Sequence, residues 1–270
     1  MILFPNAKIN LGLHVLSKRR DNFHNLETLM HPVGICDILE FIPSPENETH
    51  LKITGIPVSG DMQSNLVYRA YALLRDLFKL PPLRIHLHKI IPAGAGLGGG
   101  SSDAAFMLKG LNQFFDLGLS SEELKIHAAS LGSDCSFFVE NVPAIASGKG
   151  EILVPAANYL HGCKLLLFFP GFPVSTAEAY SGILPDPDKE SLTSILEQGL
   201  SSWRGELIND FEKTVFEKYP ELRTLKEALY GNGALYASMS GSGSALYGLF
   251  DAEYAISPEL KKGLVWEGLL

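Results

Sequence analysis

Between Pro5 and Leu16, hydrophobic and polar positions alternate: Ile9, Leu11, Leu13 and Val15 against Lys8, Asn10, Gly12 and His14. A period of two predicts a strand over 5–16 with one face in the core and the other half exposed. Lys8 and Asn10 then share the polar face, about 6.6 Å apart along the strand. SKRRDN reads as a polar turn, HNLETLMHPV as a second strand and DILEFIP as a third, before a loop rich in Pro, Glu and Gly.

The period then changes. Leu66, Val67, Ala70, Leu73, Leu74 and Leu77 recur at helical spacing behind Ser64 and Asn65, either of which can cap the helix. Leu83, Ile85 and Leu87 alternate with Arg84, His86 and His88, a strand leading into a glycine-rich stretch. Beyond that stretch Ala104, Ala105, Leu108, Leu111 and Phe115 make an amphipathic helix starting near Ser102. Ser120 with Glu123 forms a capping box for another helix, which ends near Gly132. Residues 143–154 are strand-like. From KLLLFFP onward a second α+β unit is expected, with helices near 190–199, 204–217 and 221–230 and then a strand–turn–strand, ALYASMSGSGSALYGLF. The register change places a lobe boundary near 157, giving lobes 1–157 and 158–270.

Composition narrows the classes. With 46% hydrophobic and 19% charged residues, 270 residues can build a substantial core without staples. Three cysteines, Cys36, Cys135 and Cys163, are widely spaced with no CxxC pair, which suits a reducing, cytoplasmic setting and argues against zinc. No window resembles a signal peptide or a membrane span. A formal charge of −8 argues against a nucleic-acid surface, so any anionic ligand needs a local device.

The stretch PAGAGLGGGSSDAAFML at 92–108 offers one. Gly94, Gly96 and Gly99 satisfy GxGxxG, yet a dinucleotide fold needs an acidic residue about 20 residues on at a strand end, and Asp116 falls in a helix-terminal loop. Gly94 to Ser101 also spells a Walker A pattern with glycine in place of the lysine. What both motifs share remains: bare backbone whose N–H groups converge on an anion ahead of a helix N-terminus. A plain turn is the alternative, but two to four residues would suffice for it, and so dense a glycine run carries an entropic cost. The missing charge can come from Lys8, although a strand lysine ordinarily reaches solvent. Asp134, in LGSDCSFFV, reads locally as a helix N-cap. Aromatic Phe23 beside His24 reads locally as turn packing. His86 and His88 sit on a polar strand face, and Cys135 has no evident base partner.

Taken in order, PNAKINLGLHV, PAGAGLGGGSSDAA, LGSDCSFFV and SMSGSGSALY resemble the signatures of the GHMP small-molecule kinases. DNFHNLETL at 21–29 is similar to the DGYHxLxTL segment of members acting on a cytidine-diphosphate-capped methylerythritol in non-mevalonate isoprenoid synthesis. The resemblance implies an α+β, two-lobed fold: an N-terminal lobe with a left-handed βαβ unit and a ferredoxin-like C-terminal lobe. It implies ATP with Mg2+ and phosphorylation of the 2-hydroxyl of the methylerythritol unit. Lys8 and Asp134 carry over as the catalytic pair. Pro92, Ala93, Gly94, Ala95, Gly96, Leu97, Gly98, Gly99, Gly100, Ser101 and Ser102 carry over as the triphosphate loop, with Asn65 also on the ATP side. Asn10, Phe23, His24 and Tyr180 carry over to the cytidyl substrate, Phe23 stacking on the cytosine and Tyr180 taking its other face.

Departures are specific. Phe23 stands where the family has tyrosine, and Asn22 where it has glycine, which suits a left-handed position. Ser133, Cys135 and Ser136 replace the usual neighbours of the aspartate. Ser101, Ser102 and Asp103 are possible metal contacts, though each equally suits a helix start, and no protein ligand set for Mg2+ is named. The turn 240–244 is expected against the phosphate loop. The expected partner is a small molecule, with neither nucleic acid nor membrane, and the chain a monomer or weak homodimer. Two other readings stay open: a GHMP kinase for another sugar or a mevalonate-type acid, and a non-catalytic nucleotide or ligand sensor.

Overall fold

The structure, a computed structural model, describes the backbone of residues 1–270 and every side chain but that of Glu259. The elements up to the glycine stretch are β1 (Ile2–Leu3), β2 (Asn6–Lys18), β3 (His24–Cys36), β4 (Ile38–Pro43), β5 (His50–Gly55), α1 (Leu66–Phe78) and β6 (Leu83–Lys89). After it come α2 (Gly99–Phe114), α3 (Ser121–Leu131), α4 (Phe137–Glu140), β7 (Ala144–Gly148), β8 (Ile152–Pro155) and β9 (Lys164–Phe168). The chain continues with α5 (Thr176–Tyr180), α6 (Leu192–Glu197), α7 (Trp203–Glu206), α8 (Phe211–Lys218), α9 (Pro220–Gly231), β10 (Tyr236–Met239), β11 (Leu246–Phe250) and β12 (Leu264–Leu269).

These gather into two compact units interleaved along the chain. The first holds Met1–Lys8, Gly34–Ala93 and Gly98–Val142; the second holds Ile9–Val33, Gly94–Leu97 and Pro143–Leu270. In the first, the sheet order is β1-β4-β6-β5. β5 and β6 run parallel with α1 as their crossover, and β4 pairs antiparallel with β6. Alternation of Leu83, Ile85 and Leu87 buries one face of β6. The helix α2 lies so close to this sheet that a Cβ on Gly110 would meet Leu3 at 2.5 Å and Phe41 at 3.0 Å.

The second unit has two four-stranded sheets, β2-β3-β7-β8 and β10-β11-β9-β12. In the latter every pairing is antiparallel. Counted along the chain its strands lie in the order 2-3-1-4, the ferredoxin-like arrangement, with the second crossover reduced to a 3-10 turn at Pro258–Lys261. Phe168, Met239, Leu246 and Phe250 meet Phe211, Val215, Leu222 and Leu229 of α8 and α9 in one core.

Several expectations needed correction. Lys8, Asn10 and His14 are all buried, so β2 is covered on both faces and is not half exposed. Neither β1, β5 nor β12 was expected; β5 lies in the stretch read as loop, its alternation cut to six residues. The helix α2 begins at Gly99, three residues before Ser102, because the glycines themselves form its first turn. Asn65, not Ser64, caps α1, its side chain accepting the Val67 N–H at 2.9 Å. The Ser120–Glu123 capping box is present, and Gly132 caps the end of α3.

His14 yields a pH prediction. Burial, then the facing Lys189, lowers its pKa against the opposing pull of Asp210 and Glu27. A lowered folded pKa means the unfolded chain binds more protons below about pH 6.5, so stability falls as pH drops through that value. Chemical denaturation from pH 8 to 5 should show this loss, at up to about 1.4 kcal/mol per pH unit for one proton. His14→Asn should flatten the slope; an unchanged slope would assign it to other groups.

Candidate active site

Lys8 Nζ lies 3.4 Å from Asp134 Oδ2, with side-chain exposures of 4% and 30%. The sequence separates the two by more than a hundred residues; the fold of the first unit joins them. Asp134 sits in the turn after α3, where the Cys135 N–H returns to the Gly132 carbonyl at 3.2 Å. The N-cap reading of Asp134 is not realised: Ser136 occupies the cap of α4, without a side-chain bond. The departures around it are absorbed locally. Cys135 is fully buried, burial pushing its thiol up to about 11, so it is a packed small residue rather than a nucleophile. The Ser136 hydroxyl donates to the Lys125 carbonyl at 3.1 Å.

The glycine stretch is bent as a nest requires. Gly94, Gly96 and Gly98 take φ of +65°, +76° and +70°, at alternate positions. Gly98 caps α2 with no side-chain hydrogen bond, so the first N–H groups of a 16-residue helix are not used by a cap. The glycines are also required by crowding. A Cβ on Gly98 would sit 2.9 Å from Phe138 and 3.2 Å from Lys8 Cγ. In the second unit, a Cβ on Gly96 would lie 1.9 Å from the Ser240 carbonyl oxygen. The 240–244 turn does pack on this stretch: Ser240 Oγ donates to the Gly96 carbonyl at 2.9 Å, and the Ala245 N–H to Ala95 at 3.1 Å.

Asn10 also belongs to the second unit. Its Nδ2 donates to Thr28 Oγ1 at 3.1 Å, its N–H to Ser240 Oγ at 3.2 Å, and its carbonyl accepts the Tyr247 hydroxyl at 2.8 Å. Asn22 does take the left-handed conformation, at φ +64°. It presents Phe23, 57% exposed, with the Lys149 ammonium 4.9 Å from its ring centre. Tyr180 lies against His24 in the second unit. Its ring stacks on His24 at 4.7 Å and 16°, and meets Phe211 edge-on. Burial, then the neighbouring Lys18, lowers the His24 pKa, favouring a neutral ring that donates through one nitrogen and accepts through the other.

Two features of the first unit went unread in the sequence. Leu51, Ile53, Val58 and Met62, with Asp61 and Asn65, line a cleft of about 260 Å³. Leu66, next to Asn65, lies 3.6 Å from where Gly100 would carry a Cβ, so this cleft adjoins the start of α2. No motif marks it, because its apolar walls come from a strand and a loop. The second is a buried ionic group, Asp37–Lys89–Asp103. Burial pushes the Asp103 carboxyl up to about 7 against the pull of Lys89. Asp103 is thus buried and paired through Oδ2 with Lys89. Among the described residues no group of three or more His, Cys, Asp or Glu side chains is placed to hold a metal ion.

Residues 65–149 match the model of the GHMP kinases N-terminal domain, and 189–262 that of the GHMP kinases C-terminal domain. A protein of Cytophaga hutchinsonii is 50% identical over 94% of this chain and 93% of its own length. The chain belongs to the GHMP kinases. The Cytophaga hutchinsonii protein and a Bacteroides thetaiotaomicron protein, also 50% identical over 94% and 93%, are both named 4-diphosphocytidyl-2-C-methyl-D-erythritol kinase. A crystal structure of 4-(cytidine 5'-diphospho)-2C-methyl-D-erythritol kinase superposes with a TM-score of 0.76 at 36% identity, covering 92% of this chain and 90% of that one. For this GHMP kinase the N-terminal match takes in the glycine stretch and Asp134. Lys8, Asn10, Phe23, His24 and Tyr180 fall outside both matched segments. Among the described residues no helix is long and apolar enough to cross a membrane.

Proposed function

We propose that this GHMP kinase transfers the γ-phosphoryl group of ATP to the 2-hydroxyl of 4-(cytidine 5'-diphospho)-2-C-methyl-D-erythritol, in isoprenoid precursor synthesis. The observation that carries the reading is the 50% identity, over nearly the whole chain, to relatives named for that substrate. The Lys8–Asp134 pair supports phosphoryl transfer rather than mere binding, since a sensor has no need of it. Work in the cytoplasm, as a monomer or weak homodimer, belongs to the same reading.

In the reaction the bond from the 2-hydroxyl oxygen to the γ-phosphorus forms as the bond to the β–γ bridging oxygen of ADP breaks. An ordinary aspartate, with a reference pKa near 3.9, is too weak to make an alkoxide. Asp134 orients the hydroxyl and takes its proton late, when the new bond to phosphorus has made it acidic. Lys8, almost wholly buried and 3.4 Å from Asp134, adds positive charge where the transition state spreads negative charge. Residues 92–102 cradle the triphosphate with backbone N–H groups at the start of α2, and the cleft beside Asn65 receives the purine. Mg2+ bound with the ATP phosphates would neutralise part of their charge.

Asn10 hydrogen-bonds the polyol, and Phe23 and His24 take the cytosine by its face and its edge. Tyr180, stacked on His24, is the aromatic assigned to the ring's other face. Phe23→Ala is accordingly expected to raise KM for the capped substrate about 10-fold, in line with about 1–3 kcal/mol per base stacked on an aromatic. KM for ATP should not move; equal rises in both constants would remove Phe23 from the cytidyl site.

The test of the function is ADP release with ATP and the cytidyl-capped methylerythritol, beside uncapped methylerythritol, mevalonate and galactose. Turnover with the capped substrate alone is expected. Turnover with another polyol would keep the kinase and discard the cytidyl reading. Silence with all four alongside ATP binding would make the chain a sensor.

A further inference from the structure

The ionic group Asp37–Lys89–Asp103 stands apart from the reacting groups but brackets the glycine stretch. Lys89 is the last residue of β6, before the stretch; Asp103 lies in the second turn of α2, after it. Lys89 Nζ donates to Asp103 Oδ2 at 2.6 Å and to Asp37 Oδ2. Asp37 Oδ1 accepts the N–H groups of Ile90 at 2.5 Å and Ile91 at 2.9 Å, which lead into the stretch. Its own N–H donates to the Pro5 carbonyl at 2.8 Å, just ahead of the β2 residues that carry Lys8. All three side chains are almost completely buried.

A glycine leaves room for the lysine under the helix start. A Cβ on Gly99, the first residue of α2, would lie 3.3 Å from Lys89 Nζ and 2.9 Å from Ile91 Cγ2. The ammonium thus passes beneath the first turn of α2, with the strand before the loop on one side and the helix after it on the other.

We propose that Asp37, Lys89 and Asp103 are a positioning triad that holds the first turn of α2 in register for the triphosphate, without touching the nucleotide. This rests on the reading of residues 92–102 as the triphosphate cradle. Two carboxylates on one ammonium fix three points of the backbone: the exit of β6, the second turn of α2 and the strand bearing Lys8. A buried ion pair is not needed for stability as such, since apolar residues of like volume often serve equally well. Directional bonds at both stems instead supply alignment, and an error of about 1 Å at a reacting centre costs about 100-fold in rate.

The test compares affinities for adenosine and for ATP in wild type and Asp103→Asn, by calorimetry, with steady-state kinetics beside them. A near-isosteric amide keeps the volume and loses the charge-assisted bond to Lys89. Expected is a collapse of about 10-fold or more in the extra affinity that the triphosphate confers, with adenosine affinity and KM for the alcohol substrate unchanged. Equal losses for adenosine, ATP and the alcohol would mean general damage and overturn the proposal, as would wild-type ATP affinity. Should Asp103→Asn fail to fold, the neutral triple variant Asp37→Asn, Lys89→Met, Asp103→Asn removes the stranded charge and carries the same expectations. If neither folds, the triad is structural and the proposal falls. A wild-type chain that binds ATP no better than adenosine would instead refute the underlying reading of the loop.

Discussion

Asp134→Asn is expected to lower kcat about 10³-fold while leaving KM for ATP nearly unchanged. The magnitude follows from general-base contributions of about 10²–10⁴-fold, roughly 3–5 kcal/mol at the transition state. Asparagine keeps the size and one acceptor oxygen, so the turn after α3 should persist. It loses the ability to take the hydroxyl proton and the ionic attraction to Lys8, 3.4 Å away. If Asp134 acts on the alcohol as bonding changes, as proposed, the loss should appear in kcat and kcat/KM together, the sign of an interaction made mainly in the transition state. Lys8→Met should fall by about 10²–10³-fold, as does removal of a single charge-stabilising donor. The double variant should be far from additive, because the pair acts as a unit. Single-turnover kinetics with ATP and the capped substrate would separate this from slow product release. Near wild-type kcat for Asp134→Asn would move the proton acceptor elsewhere.

Gly96→Ala is expected to abolish useful ATP binding, with KM for ATP rising about 100-fold or more. Two effects combine. The residue has φ +76°, a conformation that L side chains rarely adopt, which by itself costs about 1–2 kcal/mol. The added Cβ would also lie 1.9 Å from the Ser240 carbonyl oxygen, and backbone on both sides leaves no flexible side chain to give way. The stretch must therefore move off the 240–244 turn, breaking the Ser240–Gly96 and Ala245–Ala95 bonds. Gly118→Ala is the control: φ is +70°, but nothing lies within 4 Å of the new methyl, so a modest loss of Tm with unchanged KM is expected. ATP titration and thermal melts of the two variants check this; a normal KM in Gly96→Ala would show that the stretch tolerates displacement.

Much of the site was legible because its chemistry depends on local residue types. A run of glycines is read without a fold: no other residue takes positive φ at alternate positions 94, 96 and 98 so readily. Asn22 could be read as left-handed for the same reason. Period-two and period-3.6 patterns gave β6, α1 and α2 to within a few residues. By contrast β1, β5 and β12 went unread: β1 has only two residues, and β5 lies in the Pro-, Glu- and Gly-rich stretch that reads as a loop. The burial of Lys8 was also invisible, since a polar residue in an alternating strand reads as solvent-facing until something covers it.

By itself, then, the sequence determined the elements with long periodicity, the glycine-rich backbone at 92–102 and, through ordered motifs, the kinase family. These are properties of neighbouring residues, set by sterics and hydrogen-bonding capacity over a few positions. Only the tertiary structure decided that Asp134 answers to Lys8 rather than to the helix beside it, since partners so far apart in sequence meet through packing alone. It decided likewise that Tyr180 rests on His24, and that Lys89 runs beneath Gly99 to join Asp37 with Asp103. In each case burial removes water as the competing partner and leaves the polar group only those partners the fold brings within reach.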